Sequence, residues 1–440
     1  MTSVFVLQPP AGATAKGPRA RFHVLGVLVS LAAITYLDRV CIAITAPSIT
    51  HALGLSQLQM AFVFSSFSLA YALFEVPTGA WVDRIGAKKV LTRIVIWWSI
   101  FTGATGAAFS YPVLLVTRFL FGVGEAGAWP AVSSAITRWF PKTERGTAQG
   151  IFFMGAHLAG GLTPILIIAM LRFINWRLCF AVFAVIGMIW AICWKAWFRD
   201  HPPDGFTAHG ANKLVANLPE GSHGHAPGTP WKAVFTSRSV YGLCGMYFTQ
   251  SYGFYFYITW LPTYLHEARG LSSNWLALYS GMPLLFSVAA DLFGGIATDR
   301  VTHRYGLRAG RVGVGCASFV LAGICMFAGI ACRDKVPAVL LISCAAAFSA
   351  FTLGAAWAAT GDVGGPHAGV VSACMNTAGQ TGGALCPVVL AMCLRHFASW
   401  NVGLYAIASL YLAGALCWTF VNPERVIAPE LEQIPSGEIH

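Results

Sequence analysis

Long apolar stretches alternate with short polar segments along the whole chain. Each stretch is about 20 residues or longer, the length with which an α-helix crosses the hydrocarbon core of a bilayer. Six stretches precede a polar gap and six follow it, so the pattern predicts an all-α integral membrane protein with twelve transmembrane helices in two six-helix bundles. The predicted spans lie at about 24–49, 60–82, 90–109, 111–139, 147–170, 178–198, 239–265, 275–298, 312–333, 337–361, 369–394 and 399–421.

The polar segments divide the chain into five predicted units. Residues 1–21 are polar, contain Pro9 and Pro10, and lack the apolar core of a signal peptide, so we expect them to stay attached and disordered. The gap after the sixth span is rich in Gly, His and Pro, a linker composition. The units are a cytoplasmic tail at 1–21, a bundle at 22–198, a cytoplasmic linker at 199–238, a bundle at 239–421 and a cytoplasmic tail at 422–440.

Composition excludes several classes of protein. Hydrophobic residues make up 56% of the chain and charged residues only 10%, against roughly 25% charged in soluble domains. The net charge of +11 is not concentrated in the Lys and Arg run that binding to nucleic acid requires. The 12 cysteines lie in apolar stretches without CxxC spacing, which indicates core residues. Because no nucleophile, metal or phosphate motif is present, we expect neither an enzyme nor a cofactor.

The distribution of basic residues predicts the orientation. If the N-terminus is cytoplasmic, 20 of the 28 Lys and Arg fall in inside segments and six in outside segments. Positive residues accumulate in cytoplasmic loops. We therefore predict a multi-pass protein of the cell inner membrane with both termini in the cytoplasm. The excess positive charge is then an orientation signal and requires no acidic partner.

A short motif occurs once in each half of the chain. The sequence GxxxDR begins at Gly79 after the second span and at Gly295 after the eighth, 216 residues apart. Repeated halves of this kind place a substrate path between them. We interpret the motif as a cytoplasmic gate whose contacts form in one conformer and break in the other. The alternative is a loop that only orients and caps helices. The gate residues of this interpretation are Asp83, Arg84, Asp299 and Arg300.

Four ionisable residues lie deep inside predicted spans one and four: Asp38, Arg39, Arg118 and Glu125. Each costs about 2.5–3.5 kcal/mol at the centre of a membrane helix unless it is paired. Their charges sum to zero, and Arg118 and Glu125 share a helix face because they are seven residues, about 10.5 Å, apart. The two acids and two arginines are therefore predicted to face one another at mid-membrane.

Two interpretations of these four residues stay open. They could form a buried network that only joins two helices, although buried ion pairs stabilise poorly compared with apolar packing. Alternatively, Arg39 and Arg118 bind an anionic substrate, because a guanidinium can hold a carboxylate with two hydrogen bonds. An acid that loses its arginine to the substrate would then take up a proton, which is the physical basis of proton symport.

The sequence resembles a known family over residues 22–420. Two runs carry most of the resemblance: Arg118-Phe-Leu-Phe-Gly122-Val-Gly124-Glu125-Ala-Gly127-Ala-Trp-Pro130, and Trp139-Phe140-Pro141-Lys-Thr-Glu144-Arg145-Gly146. Tyr36-Leu-Asp38-Arg39 fits the same pattern. Together they are similar to the anion:cation symporter family of the major facilitator superfamily, which includes bacterial galactonate, glucarate and hexuronate carriers.

The resemblance implies roles for individual residues. Glu125 is implied as the proton-linked switch, with Asp38 as its partner. Tyr36, Tyr71 and Asn376 match positions that face the substrate in the galactonate carrier. His157 stands where several relatives have glutamine and is a further candidate for the lining of the pocket, although a packed polar residue is the alternative for all of these positions.

These observations together predict a proton-coupled symporter. We expect it to import an organic monocarboxylate anion, with a sugar acid as the leading substrate, by alternating access and as a monomer. Alanines around Trp357 offer few hydroxyl partners, so a less hydroxylated or aromatic carboxylate is an alternative. Proton-driven efflux or exchange, coupling to Na⁺, and a non-transporting membrane sensor also stay open.

Overall fold

The computed structural model describes residues 17–200, 229–271 and 273–427, and the described part is built of helices. Most of the predicted linker and of both tails therefore lies outside the described residues. The helices are Gly17–Leu53, Gln57–Ile85, Ala87–Ala107, Tyr111–Glu125, Ala128–Trp139, Arg145–Met170, Trp176–Trp197, Trp231–Thr236, Arg238–Thr259, Leu261–Glu267, Ser273–Tyr305, Val314–Ala331, Lys335–Phe351, Leu353–Gly364, Ala368–Phe397 and Trp400–Thr419. A π-helical turn, Ala309–Gly313, and a 3-10 turn, Gly365–His367, complete the set.

The helices match the twelve predicted spans, which we number 1 to 12. Nine helical stretches of the described chain are long and apolar enough to cross a membrane. One of them, residues 335–397, contains both span 10 and span 11. Spans 4 and 7 are not among these stretches. Span 4 consists of two short helices, and the first helix of span 7, Arg238–Thr259, carries several polar residues. The first helix begins at Gly17, so residues 17–21, which we expected to be disordered, are helical.

A glycine breaks span 4 shortly after its two charged residues, Arg118 and Glu125. The first helix of this span ends at Glu125, and the second begins at Ala128. Between them Gly127 adopts φ 86°, a left-handed conformation that a residue without a Cβ reaches at no steric cost. The break places Glu125 at the C-terminal end of a helix in the interior of the protein.

Glycines also allow the two halves of the chain to approach closely. Span 2 packs against span 11, and span 5 packs against span 8. A Cβ at Gly79 would lie 2.6 Å from the carbonyl oxygen of Gly369, and one at Gly146 would lie 3.0 Å from that of Gly295. The glycine of each GxxxDR motif is thus a point of backbone contact between the halves.

Aromatic side chains fill the centre of the interface between the halves. The rings of Trp129 and Phe153 are stacked at 5.7 Å, and Phe153 lies 5.5 Å from Trp357 of span 10. Trp357 donates its indole N–H to the hydroxyl of Tyr247 at 3.1 Å. We call Trp129, Phe153 and Trp357 the aromatic floor. All three are buried.

Candidate functional site

Arg39 of span 1 and Glu125 of span 4 form a buried ion pair. The Arg39 Nε–H donates to Glu125 Oε1 at 2.5 Å. Glu125 is fully buried, whereas the Arg39 side chain retains 23% exposure. The Arg39 guanidinium also lies over the ring of Tyr71 at 4.9 Å and over that of Phe67 at 5.3 Å. Arg39 is therefore paired, held between aromatic faces and still accessible.

Arg118 lies beside this pair but is bound differently. Its guanidinium stacks on Phe121 at 4.2 Å and on Phe67 at 5.4 Å. It is 3% exposed, and its Nε has no hydrogen-bond partner in the described part of the chain. The neighbouring acids Glu125 and Asp38 interact with it electrostatically without closing an ion pair. Arg118 thus presents an unused donor in an apolar, aromatic environment.

Asp38 completes the predicted group of four. It is 1% exposed, and neither carboxylate oxygen has a hydrogen-bond partner of normal geometry among the described residues. A buried carboxylate without partners is costly in its charged form. The structure therefore brings all four predicted charges into one region, but it pairs Arg39 with Glu125 and leaves Asp38 and Arg118 unbonded.

The predicted lining residues Tyr71 and Asn376 meet across the halves at a third acid. Asn376 of span 11 donates to Glu75 Oε1 and, at 3.3 Å, to the Tyr71 hydroxyl. Thr377 donates its hydroxyl to Glu75 Oε2 at 3.1 Å. Glu75 is fully buried. Tyr71 also lies under Arg39, so this cluster is continuous with the charged group.

His157 makes the corresponding contact between span 5 and span 8. Its Nδ1 lies 2.6 Å from Asp291 Oδ2, and both side chains are buried. The second Asp291 oxygen has no partner in the described residues. The His157 ring also lies 5.6 Å from that of Phe254. The predicted lining residue His157 is thus placed in an ionic contact between the halves.

Tyr36 lies on span 1 beside the same space. Its ring packs against the backbone of Gly160, where a Cβ would come within 2.9 Å of it. It is also 6.5 Å from Trp129 of the aromatic floor. From the other half, Tyr255 donates its hydroxyl to Gln380 at 3.3 Å and interacts electrostatically with Arg39. The site is therefore bounded by both halves.

Both aspartates of the GxxxDR motifs cap helices of the opposite half. Asp83 accepts the backbone N–H groups of Gly369 at 2.7 Å and Val370 at 2.8 Å, at the start of span 11. Asp299 accepts those of Gly146 at 3.0 Å and Thr147 at 2.5 Å, at the start of span 5. The N-terminus of a helix attracts negative charge. These contacts close the side of the protein that carries the basic loops, which we call the basic side.

A buried charge network joins the same closure. Arg145 donates to Asp362 Oδ1 at 2.6 Å, and Arg311 donates to Asp362 Oδ2 at 2.9 Å and to Asp299 at 3.3 Å. Arg145 belongs to the first half and the other three residues to the second. Arg311 also donates to the carbonyl oxygen of Lys142 at 2.6 Å. One carboxylate therefore holds two buried arginines together across the interface.

The structure brings two of the four predicted gate residues into these contacts. Asp83 and Asp299 bind backbone N–H groups of the opposite half, whereas Arg84 and Arg300 are exposed and do not enter the cluster. The charged side chains that enter the cluster with Asp299 are instead those of Arg145, Arg311 and Asp362. In the sequence, Arg145 and Arg311 are indistinguishable from solvated loop residues. Their partner Asp362 lies 217 residues from Arg145 and 51 residues from Arg311, so no local pattern reveals it. Glu75 and Asp291 each precede a GxxxDR aspartate by eight residues, a position that the sequence associates with the gate, and both acids make contacts between the halves.

The described residues contain no group of three or more His, Cys, Asp or Glu side chains that could hold a metal ion. The polar groups of the site are instead two arginines, four acids, a histidine and amide or hydroxyl donors. Such a set is suited to binding an organic anion and exchanging protons.

Two helical halves with buried charged residues between spans 1 and 4 and acids contacted across the halves indicate a multi-pass membrane carrier. The sequence model of the Major Facilitator Superfamily matches residues 28–387. The chain belongs to this superfamily, and it is a secondary transporter and not an enzyme. The predicted resemblance and fold class are thereby confirmed.

Curated relatives are anion carriers. The chain is 34% identical over 411 residues to a probable sulfoacetate transporter, SauU, of Cupriavidus necator, covering 92% of this chain and 94% of that one. It is 32% identical to a hexuronate transporter of Bacillus subtilis, with the same two coverages. A probable galactarate/D-glucarate transporter, GudP, of the same organism is 27% identical over the whole of both chains.

Solved structures show the same fold. The fucose transporter FucP in its outward conformation superposes with a TM-score of 0.73 at 11% identity, covering 92% of this chain and 100% of FucP. The proton:xylose symporter XylE also gives 0.73, at 15% identity, covering 94% of this chain and 99% of XylE. At these identities the likeness is evidence for the fold alone.

Proposed function

We propose that this protein is a proton-coupled symporter that imports an organic anion, with a sugar acid as the leading substrate. The observation that carries the proposal is the state of Arg118. Its guanidinium is buried on aromatic faces and has a donor without a partner among the described residues. A substrate carboxylate is the group that would complete its hydrogen bonds, because guanidinium and carboxylate match in geometry and charge.

Proton coupling follows from the neighbouring pair. Arg39 is paired with Glu125 and is also accessible to a substrate, since its side chain remains 23% exposed. A substrate anion that attracts Arg39 or Arg118 would weaken the charge balance at Glu125 and Asp38. Each acid is buried, so its charged form would then be poorly compensated and it would take up a proton. Substrate and proton would thus enter together and leave together.

Alternating access would use the contacts on the basic side. The structure is closed there by Asp83, Asp299 and the Arg145, Asp362 and Arg311 network. Opening would break these contacts and separate span 2 from span 11 and span 5 from span 8. We place the basic side in the cytoplasm of a cell with the protein in its inner membrane, because of the positive-inside rule.

Two observations bear on the substrate. The hexuronate and galactarate/D-glucarate transporters among the relatives favour a polyhydroxylated acid, and Tyr36, Tyr71, Asn376, Tyr255 and Gln380 supply hydroxyl and amide partners. Asn376 is already engaged by Glu75, and the buried residues next to Trp357 in the sequence are Ala355, Ala356 and Ala358, which offer no hydroxyl group. With the sulfoacetate relative, these alanines favour a short, less hydroxylated acid as the second candidate.

Uptake into proteoliposomes is the direct test. Purified protein is reconstituted and offered labelled galactonate, glucuronate, glucarate, sulfoacetate and benzoate, with an inward proton gradient or none. We expect gradient-driven accumulation of one chemical class. Accumulation driven only by a Na⁺ gradient would replace H⁺ with Na⁺ in the proposal, and flux of no member would favour a membrane sensor.

Substitutions at the charged site separate the two roles. Arg118→Ala should abolish uptake, and retained uptake would show that the anion binds elsewhere. Glu125→Gln should retain exchange of substrate for substrate, which moves no net proton, while losing uphill accumulation. If the Gln variant still accumulates substrate on a pH gradient, proton coupling belongs to another residue.

A further inference from the structure

We propose that His157 and Asp291 form a second proton-binding pair, which carries one proton per transport cycle in addition to the protons carried at Glu125 and Asp38. The inference rests on the proposed symport function and adds a residue pair and a stoichiometry to it. It starts from the position of the pair. His157 belongs to span 5 of the first half and Asp291 to span 8 of the second, and their contact at 2.6 Å crosses the interface.

The position of the pair along the helices indicates that opening of the basic side breaks this contact. Asp291 precedes Asp299 by eight residues, about 12 Å along span 8. Asp299 binds the first turn of span 5, and His157 lies eleven residues beyond Gly146 on that same span. Spans 5 and 8 are thus joined by two contacts at different heights. When the two spans separate to open the basic side, both contacts break.

The chemistry of this pair differs from that of the equivalent contact at the other GxxxDR motif, which is made by Glu75. Glu75 stands 216 residues before Asp291, the spacing of the two GxxxDR motifs. Glu75 is bound by an amide and a hydroxyl, from Asn376 and Thr377, which do not titrate. Asp291 is bound by an imidazole, the side chain whose charge changes most readily near neutral pH. Only one of the two related contacts can therefore gain or lose a proton at its donor.

Burial determines how many protons the closed pair holds. Asp291 is fully buried, and its second oxygen has no partner in the described chain. A neutral imidazole beside an ionised Asp291 would leave a net negative charge in this apolar space, which is costly. Binding one proton to the imidazole gives an imidazolium whose Nδ1–H donates to Asp291 Oδ2, and the pair becomes neutral overall.

Among the described residues, the neighbours of Asp291 supply no second compensating charge. Tyr36 of span 1 and Tyr247 of span 7 are the titratable side chains that interact with it electrostatically from other packed elements, and both are phenols. Asp362 of span 10 is engaged by Arg145 and Arg311 at the closure of the basic side. The proton on His157 is therefore the positive charge available to the pair.

The cycle follows from these states. In the closed form, the imidazole has taken a proton from the side opposite the basic loops, through the site. When the basic side opens, His157 and Asp291 separate into water, where an isolated imidazolium releases its proton at neutral pH and the carboxylate stays ionised. One N–H bond is formed and later broken, and the proton passes from water on one side to water on the other.

The test measures the number of protons per substrate. In proteoliposomes clamped at zero membrane potential with K⁺ and valinomycin, a tenfold substrate gradient is balanced by a pH difference of about 1 unit if one proton moves and about 0.5 unit if two move. We expect the variant His157→Gln/Asp291→Asn, which replaces the pair by two neutral amides, to need a larger balancing pH difference than the parent, because neither side chain can then carry a proton.

Asn376→Ser, at the related contact, is the matched comparison and should leave the stoichiometry as in the parent even if it slows flux. Substrate exchange, which moves no net proton, checks that each variant is folded. An unchanged balancing pH difference in His157→Gln/Asp291→Asn would overturn the inference. If the parent itself shows no proton-driven uptake, the proposed function fails instead.

Discussion

Asp83 and Asp299, 216 residues apart, each cap a helix of the opposite half of the protein. Each accepts two backbone N–H groups at the first turn of a span in the other half. The two contacts close the basic side by one mechanism used twice, because a carboxylate neutralises both the unpaired N–H groups and the positive end of the helix dipole.

Removing the charge of either aspartate should loosen the span that it caps. Asp83→Asn should speed amide hydrogen exchange at Gly369 and Val370, because a neutral amide offers one acceptor oxygen where the carboxylate offered two. A loss of about 1 kcal/mol, typical of a helix cap, corresponds to roughly fivefold faster opening. Hydrogen exchange read by mass spectrometry on peptides covering residues 365–375 measures the effect.

Asp299→Asn should act in the same way on Gly146 and Thr147. Lys89→Gln is the control, since Lys89 is exposed in the first turn of the next helix, Ala87–Ala107. Exchange in residues 365–375 that is as slow in Asp83→Asn as in the parent would contradict the role given to these caps.

Adding one methyl group at the contact of spans 2 and 11 should favour opening of the basic side. In Gly79→Ala the new Cβ would meet the carbonyl oxygen of Gly369 and the Cβ of Ala373, each at 2.6 Å. Overpacking of this kind costs about 1–3 kcal/mol, enough to shift the closed-to-open ratio by roughly 5- to 150-fold. Faster exchange at the start of span 11 and slower uptake are the expected results.

Gly161→Ala is a matched control for this substitution, because nothing lies within 4 Å of a Cβ at Gly161. It should leave exchange at span 11 and uptake close to those of the parent. Equal behaviour of the two alanine variants would show that the backbone contact at Gly79 does not limit the closed form.

The sequence predicts the spans well, because hydrophobic length is a local property. The predicted break before Arg199 and the apolar stretch at 90–109, for example, match helices ending at Trp197 and Ala107. The partner of each charge cannot be predicted in this way. The sequence places Arg39 and Glu125 in one group with Asp38 and Arg118, but only the tertiary structure shows that Arg39 takes Glu125.

Arg145 and Arg311 show the same limit more clearly. By sequence, both are basic loop residues that orient the protein in the membrane. They are in fact buried against Asp362, which carries no local sequence signal of its own. A count of charges by loop cannot separate a solvated arginine from one that a distant carboxylate neutralises.

Asp362 is therefore predicted to be essential for stability. Asp362→Asn would leave Arg145 and Arg311 buried with far less compensation, and breaking a buried pair by removing one partner costs about 3–5 kcal/mol. We expect a clearly lower midpoint of thermal unfolding in detergent. Asp334→Asn, at an exposed carboxylate, is the control. An unfolding midpoint equal to that of the parent would mean that the two arginines find other partners.

Replacing Arg118 by lysine should separate charge from geometry at the anion site. The lysine variant keeps a positive charge near Asp38 and Glu125, so the protein should fold and reach the membrane. It loses the planar fork that binds a carboxylate with two hydrogen bonds and stacks on Phe121. We expect the KM for the substrate to rise at least tenfold, about 1.4 kcal/mol, with a smaller change in the maximal rate. Uptake kinetics in proteoliposomes measure both.

Arg93→Lys is the comparison, because Arg93 lies over Trp81 at 5.2 Å, away from the site. If Arg118→Lys raises KM no more than Arg93→Lys does, the guanidinium fork is not what binds the substrate.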